Sequence, residues 1–538
     1  MELLKINEVA SMSGIDTQYL EPYGYYKAKI NPEIMLSKKK KEDGKLVLVT
    51  AITPTKAGEG KTTTSIALAE GFGQIGQKCI LCLREPALGP VFGIKGGATG
   101  GGLASIGPVE DINLHFTGDM HALTSSINLI SAVIDNHIYQ GNELGIDPNR
   151  VVWKRAMDMN DRALREITVG LGKGNGTPRD DGFVITVASE MMAILCLAKD
   201  ADDFHDRLKK IIVAYTYNGR PVTVKDLKIT HAVMRLMKEA LKPNLVQTFE
   251  HQPAIVHGGP FANIAHGCNS LIATHMGLKL APIVITEAGF AADLGAEKFL
   301  DIAAREGELH PDLTVMVATI RALKMHGGMK FEDLKEENLD ALRAGLANLQ
   351  VHLENIKKYG VPVIVAVNHF ESDTEQEVKL VIDWCKNNYY EVAFSDGFMK
   401  GGKGSVELAQ KVKFMLDNCP SDYHPIYDLK WPLRKKIETI CKEIYRAGEV
   451  VYEEKALEQL REYEKMGYGN AYICMAKTPD SLTDNPKIKG APIGHTITIR
   501  ECNLSAGANF IVVLTGKVVT MPGLPKLPNA VKMEDERW

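Results

Sequence analysis

Short runs of aliphatic and β-branched residues alternate with longer amphipathic stretches over the first two thirds of the chain. The runs typical of buried strands cover residues 46–52, 79–83, 183–187, 282–285, 314–319 and 361–367. This alternation predicts an α/β fold with a parallel sheet that is flanked by helices on both faces. Ligands of such sheets bind beyond the carboxyl ends of the strands, so the loops after the strands are the first candidates for chemistry.

The last third of the chain has a different pattern. Helices are predicted over residues 349–359 and 406–416, and one long charged helix over 433–463. Strand patterns return at 496–499 and 510–514. Because 538 residues are too many for one ordinary core, we expect the sheet to be accompanied by further domains.

The most informative motif follows the run at 46–52 and precedes a helix-like stretch at 63–72. It reads Thr55-Lys56-Ala57-Gly58-Glu59-Gly60-Lys61-Thr62, the strand–loop–helix setting of a phosphate-binding loop. Backbone N–H groups at a helix N-terminus favour an anion, and Lys61 would contact the outer phosphates of a nucleotide. The Thr62 hydroxyl would be a ligand of Mg²⁺. The predicted nucleotide-binding residues are Thr55, Lys56, Ala57, Gly58, Glu59, Gly60, Lys61, Thr62 and Thr63.

The loop departs from the general pattern in two places. Thr55 stands where glycine is usual, and Lys56 lies five residues before Lys61. The second lysine resembles the variant loop of dimer-prone ATPases and GTPases. A switch-type phosphate-loop NTPase is therefore an alternative to an enzyme that activates a substrate, and a plain glycine-rich turn without a ligand is a third interpretation.

Arg84 and Glu85 end the second predicted strand, which should lie beside the phosphate loop. The arginine fork can bind an oxyanion there, or it can form an ion pair with Glu85. Eight glycines between Gly89 and Gly107 predict a flexible or ligand-ordered loop close to the same edge.

Acidic residues on later loops are further candidates. Glu287 and Asp293 follow the run at 282–285, where either carboxylate could hold Mg²⁺ through water or be merely solvated. Asp119 follows Gly118, which suggests a tight turn that presents the carboxylate. The neighbouring histidines have no zinc-like spacing.

Phe370 follows the run at 361–367, and Phe398 precedes a glycine-rich turn at 400–404, so both lie on predicted loops. Two such rings could stack on a flat heterocycle, with each contact contributing about 1–3 kcal/mol if base–aromatic stacking is a guide. Phenylalanines on loops more often fill gaps in a core, so the sequence alone does not decide between these two roles.

Composition and charge narrow the class of protein. A net charge of −4 argues against nucleic acid as a partner, and the lysine run at 38–41 is typical of a solvated segment. Nine scattered cysteines are typical of cytosolic thiols, and Cys79 and Cys82 fall inside an apolar run. The N-terminus lacks the apolar core of a signal peptide, and Glu190 interrupts the longest apolar stretch. These features predict a cytoplasmic protein without a membrane partner.

Several ordered segments together resemble the formate–tetrahydrofolate ligase family in its monofunctional form. The resemblance covers almost the whole chain. Its segments are the phosphate loop with Thr62-Thr63-Thr64, Leu83-Arg84-Glu85-Pro86, Lys95-Gly96-Gly97-Ala98, residues 110–119, Gly259-Pro260-Phe261-Ala262-Asn263, Arg321-Ala322-Leu323-Lys324 and Thr520-Met521-Pro522-Gly523-Leu524-Pro525.

The resemblance implies an ATP-dependent carbon–nitrogen ligase of one-carbon metabolism. Its substrates would be MgATP, formate and tetrahydrofolate, and its products 10-formyltetrahydrofolate, ADP and phosphate, with formyl phosphate as intermediate. It further implies activation by a monovalent cation, ammonium or potassium, and a homotetramer. The chain has no room for the dehydrogenase and cyclohydrolase domains of larger relatives.

The resemblance also assigns roles to single residues. Lys61 and Arg84 would be catalytic, and Thr62 would hold the metal. Glu85, Asp119, Phe370 and Phe398 would bind the folate, although relatives are expected to carry tryptophan where Phe398 stands. The implied fold is a phosphate-loop NTPase-like domain with two further α/β domains. Its expected boundaries are 1–97 plus 222–346 for the nucleotide domain, 98–221 for an inserted domain, and 347–538 for a C-terminal domain that contributes to the folate site.

Overall fold

The computed structural model describes residues 2–38 and 42–533, and its central feature is a twelve-stranded, mostly parallel sheet. This confirms the α/β class. The described residues form 24 strands, of which β1–β6 and β14–β19 belong to this sheet and the others to smaller sheets. They are β1 Leu20–Pro22, β2 Ala28–Ile30, β3 Lys45–Ala51, β4 Ile80–Leu83, β5 Gly100–Gly101, β6 Ala104–Gly107, β7 Ile146–Val151, β8 Arg155–Met157, β9 Ile167–Val169, β10 Arg179–Asp181, β11 Phe183–Ile185, β12 Ile212–Thr216, β13 Pro221–Thr223, β14 Asn244–Thr248, β15 Pro253–Val256, β16 Ile283–Glu287, β17 Pro311–Ala318, β18 Val363–Asn368, β19 Glu391–Ser395, β20 Glu449–Tyr452, β21 Tyr472–Ala476, β22 Thr496–Ile499, β23 Glu501–Ser505 and β24 Phe510–Leu514.

Helices cover both faces of the central sheet. The α-helices are α1 Ile6–Met12, α2 Ile34–Ser37, α3 Lys61–Gln74, α4 Leu88–Pro90, α5 Val109–Asn113, α6 Asp119–Tyr139, α7 Glu190–Leu197, α8 Ala201–Lys210, α9 Thr230–Met237, α10 Leu271–Leu280, α11 Ala304–Glu306, α12 Ile320–His326, α13 Leu339–Lys357, α14 Glu375–Asn387, α15 Gly397–Lys400, α16 Val406–Asn418, α17 Leu433–Glu443, α18 Glu454–Lys465 and α19 Asn529–Lys532. Short π-helices cover Val91–Lys95, Ala292–Ala296 and Phe299–Ala303, and 3₁₀ turns cover Thr17–Tyr19, Arg162–Leu164, Thr186–Ala188, Phe331–Asp333 and Gly401–Ser405.

The central sheet has the strand order β1-β2-β14-β15-β4-β16-β3-β17-β18-β19, and β6 with β5 attaches to β14. From β15 to β19 every neighbouring pair is parallel, whereas β1, β2 and β14 form an antiparallel edge. The parallel part brings the ends of β4, β16 and β3 to one place, which is where the candidate chemistry lies.

Both faces of the parallel strands are buried, as their continuous apolar runs predict. In β3, Leu46 and Leu48 belong to the core on one face, and Val47 and Val49 to the core on the other. None of these four side chains is more than 1% exposed. Burial on both faces explains why the run has no polar alternation.

The run at 183–187 was expected in the central sheet, and that expectation is wrong. Its residues Phe183–Ile185 pair in parallel with β8 in a separate two-stranded sheet. The apolar sequence then turns into α7, whose first turn is capped by the Ser189 hydroxyl accepting from the Met192 N–H at 3.2 Å. A short apolar run does not distinguish a strand from the start of a buried helix.

The single helix expected over 433–463 is also wrong. The structure has α17, then β20, then α18, because the chain turns at Arg446, whose φ is +61°, and passes through Gly448 into the β-branched pair Val450 and Val451. The charged amphipathic pattern runs across both helices and hides the break.

The structure has elements in two segments where the sequence pattern marked no strand or helix. The N-terminal region contributes α1 and an antiparallel hairpin of β1 and β2 that extends the central sheet. Lys39–Lys41 of the lysine run lie outside the described residues. The glycine-rich stretch forms α4, a π-helix and the hairpin of β5 and β6.

A second core joins residues 98–221, the inserted region named after the expected domain, to the C-terminal strands. Ile127 and Ile194 pack in one cluster with Cys474 and Phe510. The strands β18 and β19 continue the central sheet, although they follow the expected boundary at residue 346. The expected domain boundaries stay predictions. Within residues 2–38 and 42–533, no helix is both long and apolar enough to cross a bilayer.

Candidate active site

The phosphate loop connects β3 to α3 in the way the motif predicts. Gly60 precedes the first residue of α3 and has φ of +71°, and Gly58 has φ of +77°. A side chain would be strained at either position, so the two glycines allow the tight entry into the helix. The first N–H groups of α3 therefore point out of the helix end as an anion site.

The Glu59 carboxylate fixes the shape of this loop from inside. It is buried and accepts the Thr55 N–H at 2.6 Å and the Thr319 hydroxyl. The Asn368 amide donates to the Glu59 carbonyl at 3.0 Å, and an Arg321 N–H donates to the neighbouring carbonyl of Gly58. The Thr55 N–H is thus bonded within the loop, while Lys56 and Ala57 are exposed.

Glu287 lies between the phosphate loop and Arg84. The Thr62 hydroxyl donates to the two carboxylate oxygens of Glu287 at 2.9 and 3.1 Å, and Arg84 Nη2 lies 3.9 Å from Oε1. This grouping follows from the sheet, because β16 ends in Glu287 and pairs in parallel with both β3 and β4. The predicted Thr62 and Arg84 are therefore brought together.

Lys61 is close to the same three groups. The pKa of Lys61 is lowered to about 8, chiefly because its ammonium group is buried. The Glu287 carboxylate opposes this effect, Arg84 adds to it, and Glu59 opposes it weakly, so the ammonium group is charged at neutral pH although burial disfavours that charge. An anionic phosphate beside Lys61 would favour the charged form.

Asp293, the other candidate for the metal, is engaged elsewhere. Its carboxylate forms a buried ion pair with Lys477 at 2.8 Å, and both side chains are at most 1% exposed. Among the described residues, no group of three or more His, Cys, Asp or Glu side chains is arranged to hold a metal ion. The oxygens of Thr62 and Glu287 are the donor pair that suits Mg²⁺ beside the phosphate loop.

A cavity of about 360 Å³ opens beside Thr62, Arg84 and Glu287. Four of its lining residues carry a buried polar atom without a hydrogen-bond partner in the described structure. These atoms are Arg84 Nε, Glu85 Oε2, Asn160 Oδ1 and Asn263 Oδ1. Buried polar atoms without partners are rare in folded proteins, so this concentration indicates a ligand site.

Glu85 lines this cavity, and the buried Asp119 carboxylate lies close to it outside the lining. Asp119 accepts from Lys29 Nζ at 2.5 Å and from the Asn244 amide at 2.8 Å. Burial first, and then the Asp119 carboxylate, raise the pKa of Glu85 well above its ordinary value. Burial thus favours the protonated form of Glu85, which lines the cavity, and Asp119 is the ion-pair partner of Lys29.

The two predicted aromatic residues lie at the ends of β18 and β19. The Arg321 guanidinium covers one face of the Phe370 ring, with its carbon 3.8 Å from the ring centroid. Phe398 is 47% exposed, and its carbonyl accepts the Leu103 N–H at 2.9 Å. The described residues that line the 360 Å³ cavity do not include either ring. The stacking role stays a prediction.

Sequence reasoning missed several lining residues. Asn160 lies in the inserted region without any motif, whereas Asn263, Pro522 and Gly523 belong to segments that carried only a resemblance. Arg321 also lay in such a segment, and its contacts with the phosphate loop and Phe370 required the fold. Proximity to the phosphate loop was the missing signal in each case.

The fold and this site define a class of protein: an α/β protein with a phosphate-binding loop that opens into an arginine-containing cavity. A family model described as formate–tetrahydrofolate ligase matches residues 1–537. The chain is 56% identical over 528 residues to the formate–tetrahydrofolate ligase of Pelagibacter ubique (strain HTCC1062), covering 98% of this chain and 94% of that protein. It is 54% identical over 536 residues to the enzyme of the same name from Sinorhizobium medicae (strain WSM419), covering 99% and 94%. The chain belongs to the formate–tetrahydrofolate ligase family.

The lowered pKa of Lys61 gives a pH dependence for nucleotide binding. Lys61 is protonated below about pH 8 and loses its charge above it. We expect the affinity for a non-hydrolysable ATP analogue, measured by calorimetry, to fall about tenfold between pH 7 and pH 9. Lys61→Arg stays charged and should show a much flatter profile. Equal slopes for both proteins would contradict the assignment.

The buried pair of Lys29 and Asp119 predicts a large stability effect. Asp119→Asn leaves a buried ammonium without its counter-charge, so we expect a loss of about 3–5 kcal/mol in the free energy of unfolding. Asp111→Asn is the matched control, because Asp111 pairs with Lys27 at 2.7 Å but is 48% exposed, and should cost less than about 1 kcal/mol. Urea unfolding measures both, and similar losses would show that the buried pair has no special weight.

Proposed function

We propose that this protein ligates formate to tetrahydrofolate at the expense of ATP, giving 10-formyltetrahydrofolate, ADP and phosphate through formyl phosphate. The observation that carries this proposal is that Thr62 of the phosphate loop and Arg84 line the same cavity. A phosphate-binding loop beside an arginine in the same cavity suits the transfer of a phosphoryl group to a small carboxylate. Family membership over residues 1–537 supports the same reaction.

The chemistry explains why the site needs both groups. Formate is an inert carboxylate, because an amine that attacks it would have to expel an oxide. In the first step a formate oxygen attacks the γ-phosphorus, and the bond to ADP breaks. In the second step the folate nitrogen attacks the formyl carbon, the carbon–oxygen bond to phosphate breaks, and the nitrogen loses its proton. Phosphate is the good leaving group that formate lacks.

The chain's own residues supply charge and position for these steps. Lys61 binds the outer phosphates, and Arg84 holds the anionic formyl phosphate while charge develops in both transfers. Substrate MgATP would place its metal near the Thr62 hydroxyl and the Glu287 carboxylate, since both are oxygen donors. The second step depends mainly on holding the two reactants in contact.

The folate site is proposed to include Glu85, Asp119, Phe370 and Phe398. Two observations support the stacking role of the aromatic residues. Phe398 is exposed just after β19, and β19 pairs in parallel with β18, which is followed by Phe370. In the protonated form that burial favours, Glu85 would interact with formyl or folate groups as a hydrogen-bond donor or acceptor without adding negative charge. Asp119 forms an ion pair with Lys29, and its carboxylate contributes to the site by raising the pKa of Glu85.

Three further properties belong to the proposal because the family resemblance supports them. They are a monovalent cation activator, ammonium or potassium, a homotetrameric assembly, and the domain limits at 97, 221 and 346. A cytoplasmic location is also proposed, and it is supported by nine cysteines without a disulfide. The switch-type NTPase is not favoured, because the family match extends over the whole chain.

A synthesis assay tests the proposal. Purified protein is mixed with MgATP, formate and tetrahydrofolate, and the product is converted by acid to its methenyl form and followed by absorbance. We expect product in the complete mixture and none when any one substrate is omitted. Arg84→Ala should abolish synthesis. It should leave the affinity for ATP within about threefold of the wild type, because at most one contact between the protein and the ATP phosphates is lost. ATP hydrolysis that continues without formate and folate would favour the switch NTPase, and folate binding without turnover would indicate a silent binding protein.

A further inference from the structure

Residues 520–525 form a segment without regular secondary structure near the C-terminal end of the described residues. It follows β24 and reads Thr520-Met521-Pro522-Gly523-Leu524-Pro525. Two of its residues, Pro522 and Gly523, nevertheless line the cavity that contains Thr62 and Arg84. More than 400 positions of sequence separate these two residues from Arg84, so their approach is a tertiary feature of the fold.

One side of the segment is fixed to the inserted region. The Ile185 N–H donates to the Thr520 carbonyl at 2.9 Å, and Arg165 Nε donates to the Met521 carbonyl at 2.9 Å. Arg162 donates to the carbonyl of Leu524. These bonds hold three backbone carbonyls of a segment that has no regular secondary structure of its own.

The anchoring also uses burial. Met521 is 1% exposed, and its sulfur lies 3.4 Å from the Asp161 N–H. Gly523 lies against Arg162, since a Cβ at this position would be 2.4 Å from Arg162 Nε. A larger residue at 523 would therefore displace either the guanidinium or the segment.

The other end of the tail is attached across the cavity. Helix α19 begins at Asn529, whose amide donates to the Val91 carbonyl at 3.3 Å. Val91 itself lines the cavity, on the side formed by the glycine-rich stretch. The tail thus crosses from the inserted region to the glycine-rich stretch and passes the cavity at Pro522 and Gly523.

We propose that residues 520–525 form the wall that keeps water from formyl phosphate until the folate amine reacts. This inference rests on the proposed function. Water that reaches the intermediate would attack the formyl carbon and break the carbon–oxygen bond to phosphate. Formate and phosphate would be released, so formate would be regenerated and ATP consumed without product. A wall of Pro522 and Gly523 excludes water with apolar and backbone atoms.

The test measures coupling between ATP use and product formation. Arg165→Gln and Gly523→Ala each disturb the wall, the first by removing a bond to Met521 and the second by displacing Arg162. We expect formate-dependent ADP release in the absence of tetrahydrofolate to rise about fivefold, the effect of losing roughly one hydrogen bond. In the complete mixture, more than one ADP should be released for each 10-formyltetrahydrofolate formed.

Arg150→Gln is the matched control, because Arg150 is an exposed arginine of the same region that stacks on Tyr215 at 4.8 Å. It should leave the ratio of ADP to product at the wild-type value. If Arg165→Gln fails to fold, Gly523→Ala decides the question. If the wild type is active and folded Gly523→Ala still releases one ADP for each 10-formyltetrahydrofolate formed, the inference is overturned but the proposed function is not. An inactive wild type would overturn the proposed function as well.

Discussion

The Glu287 carboxylate, placed between the Thr62 hydroxyl and Arg84, is the interaction on which the site depends. It exists because β16 pairs in parallel with both β3 and β4, so the ends of three strands meet. The Glu287 carboxylate there faces the cations of Lys61 and Arg84, and burial lowers the pKa of Lys61. An anionic phosphate beside Lys61 would favour its charged form against this effect of burial.

The antiparallel edge supports this centre with a second set of buried charges. Lys29 on β2 and Asp119 at the start of α6 form a pair that is almost completely buried. Such a pair is costly to desolvate and does not by itself stabilise a fold. Its effect on the site is electrostatic, because the Asp119 carboxylate helps to raise the pKa of Glu85 at the cavity wall. The N-terminal hairpin thus contributes to the site although it contains none of the predicted site residues.

The sequence predicted those parts of the site that follow from local rules. Thr62 was found because it ends the phosphate-loop motif that follows a strand-like run, and Arg84 because it directly follows another such run. Parallel strands place such residues at one edge. Pro522 and Asn160 were not recognised, since only tertiary packing brings them to the cavity. The break between α17 and α18 was missed because a helical charge pattern continues on both sides of it. Local patterns encode elements, whereas the pairing of distant segments depends on packing that one sequence does not display.

The most direct test of the account follows the oxygen of formate. Formate labelled with ¹⁸O is supplied with MgATP and tetrahydrofolate, and the released phosphate is analysed by mass spectrometry. We expect one ¹⁸O atom in each phosphate formed, because a formate oxygen becomes the bridge of formyl phosphate and leaves with the phosphorus. Formation of 10-formyltetrahydrofolate together with unlabelled phosphate would contradict the formyl phosphate route.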